Sequence, residues 1–306
     1  LKVVYIICGP TASGKSELAI NLAKKIHGSI INADSMQVYN ALPILTSSPK
    51  ENEKEIVPHF LYNFLDPEIK YSVGKYLEDC AVAIKESLSN GYTPIITGGT
   101  GMYINAVVNG ISDIPEISRE IRNEVQDFLN QKGLEELHNL LSKLDPESAA
   151  KLNKTDKQRV SRAYEVFLQT GKSILEFQKN IQSSILKNYK IRTIYVRAER
   201  KFLYELCDQR FDNMLKGGAL EEVKEFMNYH SHINHGIINA LGAKEIMDYL
   251  SGRVDIDSAS CDAKKKTRNY AKRQYTWFNN QINWDHSRLE FASIDEYRSA
   301  SSNLEL

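Results

Sequence analysis

The stretch "VVYIICGPTASGKSELAINLAKKI", residues 3–26, leaves few folds open to this chain. A short apolar run reads as a buried strand and passes directly into glycines. Residues 17–26 follow as a helix, with Leu18, Leu22 and Ile26 on one face. Between them lies a complete G-x-x-x-x-G-K-S match, in the strand–loop–helix context that makes it a phosphate-binding loop. Gly9, Pro10, Thr11, Ala12, Ser13, Gly14, Lys15 and Ser16 form it. Its glycines let backbone N–H groups turn inward, and the helix N-terminus adds the positive end of a dipole. Lys15 supplies a point charge for the terminal phosphates, and Ser16 offers a hydroxyl to Mg²⁺. Polyphosphate binding follows from this; the reaction does not.

The first third continues the alternation. "SIINAD" reads as a strand. Residues 76–88 read as a helix with Leu77, Val82 or Ala81, Ile84 and Leu88 inward, and residues 94–97 as a buried strand opening into "GGTG". The pattern predicts an α/β fold, a P-loop NTPase-like parallel sheet flanked by helices. Residues 111–188 break it. They show no convincing strand and three amphipathic helices, at 118–131, 134–144 and 156–170, which predicts an all-helical insertion domain. "YKIRTIYVRA" then restores strand character, helices dominate the remainder, and the final "SSNLEL" is expected to fray. The expected organisation is residues 1–110 as the first part of the core, 111–188 as the insertion and 189–306 as the completion of the core.

The 39 basic and 39 acidic side chains cancel, so any nucleic-acid face must be local. Residues 263–283 supply a candidate. They contain no acidic residue, and Lys264, Lys265, Lys266, Arg268, Lys272 and Arg273 interleave with Tyr270, Tyr275 and Trp277. Aromatics turned inward and cations turned toward phosphate are expected here. The four cysteines form no CxxC pair or metal-knuckle spacing, which points to reduced thiols in the cytoplasm. No apolar run reaches membrane-spanning length, and the beginning of the chain has no signal-peptide pattern.

Asp34 ends the second strand on the same sheet edge as the phosphate loop. A carboxylate there either serves chemistry, as a base or a water-mediated Mg²⁺ ligand, or caps a turn. The following "SMQVY" offers polar and apolar groups suited to a nucleobase. "GGTG" permits close ligand approach and presents the Thr100 hydroxyl.

"GPTASGKS", "NADSMQVY", "GGTGMY", "DKQRVSRAYEVFLQTGKS", "QRFDNML", "GALEEV" and "TRNYAKRQYTWF" occur in this order. Together they resemble the bacterial tRNA dimethylallyltransferases (tRNA isopentenyltransferases), over residues 4–284. Two segments depart from that family's pattern: "TSSPK" stands for a Thr-Ala-Lys-Pro segment, and Gly242-Ala243-Lys244 for Gly-Tyr-(Lys/Arg).

The resemblance implies dimethylallyl transfer from dimethylallyl diphosphate to the exocyclic N6 amine of an adenosine just 3′ of the anticodon, in tRNAs reading codons that begin with U. It implies Asp34 as the base, and Lys15 and Arg210 at the diphosphate. Thr100 would lie between amine and diphosphate. Asp34, Ser35, Met36 and Gln37 would receive the base. Arg122 and the run Gln158, Arg159, Val160, Ser161 and Arg162 would meet tRNA, and Lys272 and Arg273 join them from the basic segment. The partners implied are the anticodon stem-loop and dimethylallyl diphosphate, with Mg²⁺ and a monomeric chain, and ATP binding accompanies the loop type. The insertion is expected to act as a helical lobe that closes over the anticodon arm. Two other functions share these features: a prenyltransferase of free adenine nucleotides, and a P-loop nucleotide kinase, which would need several arginines around the transferred phosphoryl group.

Overall fold

The computed structural model describes residues 1–283 and 285–302. It divides into two compact units, residues 1–108 with 185–306, and residues 109–184. The sequence reading had drawn these limits at 111 and 188.

The first unit is built on a six-stranded sheet. Its strands are β1 (Val3–Cys8), β2 (Gly28–Asn32), β3 (His59–Phe60), β4 (Thr93–Gly98), β5 (Lys190–Ala198) and β6 (Ser287–Phe291). The order is β3-β2-β4-β1-β5-β6, and every neighbouring pair is parallel. Parallel strands require crossovers that cover both faces, so the central strands are buried throughout. Val4, Ile6, Ile7, Ile30, Ile31, Ile95 and Ile96 form the middle of the core accordingly.

Two strands escaped the sequence reading. β3 has two residues. β6, "SRLEF", buries Leu289 and Phe291 and exposes the rest, as suits a sheet edge. Neither has the continuous apolar run that marks a central strand.

The helices follow the expected pattern with local corrections. The Lys15–Ile26 helix buries Leu18 and Leu22 as expected. The next long helix, Val73–Ser89, starts earlier than expected because the Ser72 hydroxyl caps it, accepting from the Lys75 N–H at 3.2 Å. Its buried face runs through Tyr76, Leu77, Cys80, Ala83, Ile84 and Ser87. The expected inward Val82 is 61% exposed, because Ala83 rather than Val82 continues the stripe begun at Tyr76 and Cys80. Ser301 and Ser302 are the last residues of the helix Ile294–Ser302. Residues 303–306 of the expected frayed tail, and Trp284, where the resemblance ended, lie outside the described residues.

The second unit carries no named strand among the described residues, only one antiparallel bridge between Ser112 and Ile181. Its helices are Arg119–Leu144, Pro146–Lys151, Lys157–Thr170 and Ile174–Lys179. The first breaks at Gly133, whose φ of 84° and ψ of 173° are not helical, and so separates the two expected segments. Side chains of Ser118, Asp145, Asp156 and Ser173 cap the four N-termini. Val125, Leu129, Leu137, Leu141, Ala149, Val160 and Ala163 form this unit's own core.

The corrected phase of the Val73–Ser89 helix has a direct test by denaturant unfolding. Ile84, 1% exposed, should cost about 2–5 kcal/mol when cut to alanine, and Val82→Ala should stay within about 0.5 kcal/mol of the parent. Equal losses from the two variants would contradict this assignment of faces.

Candidate active site

In a parallel sheet all strands end at the same edge, so the turns after β1, β2 and β4 are neighbours. The turn after β1 is the phosphate loop. Gly9 stands so close to β5 that a Cβ would lie 2.3 Å from the Val196 carbonyl oxygen. Gly14, at φ 82°, opens the Lys15–Ile26 helix and leaves no room for a side chain beside the Tyr297 ring. The first-turn N–H groups of this helix lack intrahelical partners. Ser13 Oγ is buried without a hydrogen-bond partner, an orphaned polar atom that a bound anion would satisfy.

The Lys15 ammonium donates to the Pro10 carbonyl at 2.6 Å. Burial lowers its pKa to about 8, the Asp34 carboxylate opposes that shift, and Arg210 adds to it. Arg210 comes from the helix Arg200–Lys216 and faces the loop across a cleft of about 340 Å³, lined also by Ser16, Gln209 and Asn213. Burial lowers its pKa too, and among the described residues it has no ion pair or hydrogen bond. Two cations therefore share one cleft without a bonded carboxylate, as a polyphosphate site requires. Burial pushes the neighbouring Cys8 and Cys207 thiols up to about 12 and about 11, so both are inert core groups.

Asp34 lies two residues beyond β2. Its Oδ1 accepts from the Met36 N–H at 2.9 Å, which is the turn-capping role. Its Oδ2 has no hydrogen bond from another described residue, so the turn-capping role leaves that oxygen free. Asn32, fully buried, fixes the turn by bonding both the Asp34 N–H and its carbonyl. The Thr100 hydroxyl accepts from the Ser35 N–H at 2.9 Å and joins the turns after β2 and β4.

The "GGTG" glycines are required sterically. A Cβ on Gly98 would lie 2.1 Å from the Ala33 carbonyl oxygen, and on Gly101 it would lie 2.4 Å from the Trp277 ring. Of the expected base-receiving run, Gln37 is tied down by the Thr46 and Ser47 carbonyls, both at 2.9 Å, and Met36 packs on the core. Val38 and Tyr39 are core residues, not part of a nucleobase surface, because this segment anchors the turn to the helices behind it. Ala243, at the family tyrosine position, is fully buried in that same cluster.

The basic helix, Ile256–Gln281, corrects the expectation for its cations. Lys264 pairs with Asp212 at 2.6 Å, Arg268 with both oxygens of Asp208 at 2.7 Å, and Lys266 with Glu245. Lys264 and Arg268 thus bind the helix that carries Arg210, and with Lys266 half of the six cations are paired within the chain. Lys272 and Arg273 remain exposed and line a groove of about 560 Å³ with Asn269, Thr276, Trp277 and Asn280. Tyr270, Tyr275 and Trp277, expected to turn inward, are only half-buried, and the inward aromatic of this segment is Phe278.

In the helical unit Arg159 pairs with Asp156 at 3.4 Å at the surface, and Arg162 with Glu165 at 3.8 Å where both side chains are partly buried. Gln158 is exposed, and the Ser161 hydroxyl is turned back onto the Lys157 carbonyl at 2.7 Å. Arg122 is near enough to Arg162 to lower its pKa further, after burial. Val160 does not present its side chain to a ligand: it is fully buried in this unit's core, as its position on the inner stripe of the helix dictates.

Two residues that hold the site were missed. Gln274 bridges the phosphate loop and the "GGTG" turn. Its signal was present: it continues the buried stripe Ala263, Thr267, Ala271 toward Phe278. Tyr297 donates to the Gly14 carbonyl at 2.8 Å from the last helix, and nothing in the local sequence announces it.

The model of the family described as IPP transferase matches residues 37–281, and that described as isopentenyl transferase matches residues 2–60. The tRNA dimethylallyltransferase of Rickettsia conorii is 45% identical over 99% of this chain and 83% of its own length. That of Rickettsia bellii is 44% identical over 100% of this chain and 96% of its own. A solved eukaryotic dimethylallyltransferase acting on tRNA superposes with a TM-score of 0.85 at 30% identity, covering 99% of this chain and 77% of that one. The full-length tRNA isopentenylpyrophosphate transferase of Bacillus halodurans gives 0.67 at 32% identity, covering 98% and 94%.

Because the folded Lys15 titrates near 8, it is neutral above that pH unless a ligand reprotonates it. Binding of inorganic diphosphate should therefore take up a proton above pH 8, and its affinity should fall by up to about tenfold per pH unit there. Titration calorimetry across pH 7 to 10 checks this, and Lys15→Ala should bind weakly and lose the dependence. The same dependence in the alanine variant would exclude Lys15 as its source.

Proposed function

The chain belongs to the IPP transferase family, and on that premise we propose that dimethylallyl diphosphate is its donor and the N6 amine of the adenosine 3′ of the anticodon its acceptor. It is a prenyltransferase acting on tRNA. The phosphate loop then grips a leaving group rather than a phosphoryl donor. The observation that carries this reading is the pair Lys15 and Arg210, two cations with no bonded carboxylate in one cleft, beside an Asp34 carboxylate whose charge both feel.

The reaction is a displacement at the allylic carbon. The bond from C1 to the diphosphate oxygen breaks, its electrons leave with diphosphate, and the N6–C1 bond forms. An adenine amine is a weak nucleophile, so a base should take its proton as that bond develops. The free Oδ2 of Asp34 suits this, while Oδ1 keeps the turn in place. Charge grows on the diphosphate in the transition state, and Lys15 and Arg210 meet it. The Thr100 hydroxyl, fixed by Ser35, suits a contact between acceptor and leaving group.

Ser16 suits a Mg²⁺ ligand: it is an exposed hard-oxygen donor on the cleft wall, and that ion would complete its shell with water and diphosphate oxygens. The ion, when bound, supplies further neutralisation of the leaving group.

The target base must leave the anticodon stack, which costs about a few kcal/mol. Arg122, Gln158, Arg159 and Arg162 in the helical unit, and Lys272 and Arg273 in the basic helix, are the side chains proposed to hold the anticodon stem-loop. The exposed pair of Arg159 with Asp156 competes only weakly with phosphate. One chain suffices as the catalytic unit, since Lys15, Asp34, Thr100 and Arg210 all belong to the sheet-bearing unit. Four free cysteines suit the reducing cytoplasm, and no described helix is long and apolar enough to cross a membrane.

Incubation with dimethylallyl diphosphate, Mg²⁺ and unmodified tRNA should give the N6-dimethylallyl adenosine and diphosphate, with free AMP inert in parallel. Asp34→Asn should still bind tRNA yet lose most of kcat, because the amide keeps the shape and removes the base. A variant turning over at the parent rate would leave Asp34 with the turn-capping role alone.

A further inference from the structure

The ladder between β1 and β4 ends at the pair Cys8 and Gly98. Beyond it the two chains diverge into the phosphate loop and the "GGTG" turn, and no strand pairing fixes their separation. The next cross-link is a side chain. Gln274 is 6% exposed and reaches in from the middle of the Ile256–Gln281 helix. Its Oε1 accepts from the Thr11 N–H at 2.8 Å, and its Nε2 donates to the Gly99 carbonyl at 2.7 Å. Only this orientation of the amide satisfies both partners, since one offers a donor and the other an acceptor. A primary amide is chemically a peptide group, so Gln274 continues the ladder by one rung where the backbones can no longer reach each other.

We propose that Gln274 is a positioning residue for the transfer step: it sets the distance between the phosphate loop, which holds the leaving group, and the Thr100 turn, which holds the acceptor. This rests on the prenyl-transfer reading of the site. Gly99 is shaped to the contact, since a Cβ there would lie 2.4 Å from Gln274 Nε2. From Gly99 the linkage passes through Thr100 to the Ser35 N–H, next to Asp34. Three residues along the same helix, Trp277 packs against Gly101, so the helix braces both ends of the turn. Diphosphate on the loop and base on the turn belong to separate substrates, and their spacing enters the rate directly.

The decisive variant is Gln274→Glu, nearly isosteric. Its carboxylate still accepts from Thr11 but has no proton for Gly99, and it repels that carbonyl. Protonation restores the donor. At pH 8 the single-turnover rate per active site on tRNA should fall about a hundredfold, the cost of a misplacement near 1 Å. The deficit should shrink toward pH 6, with the parent measured at each pH. Gln274→Ala should lose the rate at every pH. Thermal unfolding of each protein separates this from loss of folded enzyme. A glutamate variant at the parent rate, or with a pH-independent deficit, or with a deficit that matches its unfolded fraction, would overturn the proposal. If the parent itself makes no prenylated adenosine, the transfer reading falls as well; product from the parent with an unimpaired variant removes the positioning role alone.

Discussion

Parallel pairing of β2, β4 and β1 is the constraint on which the site depends. Asn32 opposes Thr97, and Cys8 opposes Gly98, so three strands reach their last rungs together. The residues that follow them, Asp34, Thr100 and the phosphate loop, are thereby delivered to one edge from widely separated parts of the chain. Ladder hydrogen bonds hold that edge better than any loop could hold itself. Where the ladder stops, the turns are fixed by close backbone packing at Gly9, Gly98 and Gly101 and by the side chains of Asn32, Thr100 and Gln274.

Charge is distributed by the same logic. The chain is neutral overall, yet Lys15 and Arg210 are left in one cleft without a bonded carboxylate, and burial lowers the pKa of each. That arrangement is unfavourable until an anion arrives. Its cost is borne by the surrounding packing: the Arg210 helix is held by Lys264 to Asp212 and by Arg268 to Asp208. A helix that reads as an RNA-binding surface thus devotes two of its six cations to holding the Arg210 helix in place. Lys272 and Arg273, farther along the helix, stay exposed on the groove they line.

The helical unit shows how far spacing arguments reach. The pattern of residues 156–170 announced a helix, and the Asp156 side chain caps it. Arg159 stays exposed and Arg162 is half-buried, but Val160, named with them because it lies in the same run, belongs to the core stripe. A run of residues in sequence is not a face of a helix; the period of 3.6 puts neighbours on opposite sides.

The sequence by itself determined the phosphate loop, the central strands, the helical character of residues 119–179 and, through its motifs, the family. These are local: a strand, a glycine turn and a helix carry their instructions within about twenty residues. Edge strands β3 and β6 were illegible because an edge needs little apolar sequence and takes its place from the neighbour it pairs with. Only the tertiary structure decided which cations are free, which oxygen of Asp34 is available, and that Gln274 and Tyr297 hold the phosphate loop from more than 260 residues away. Such roles depend on burial and on partners brought close by the fold, and a side chain's own sequence neighbours do not encode them.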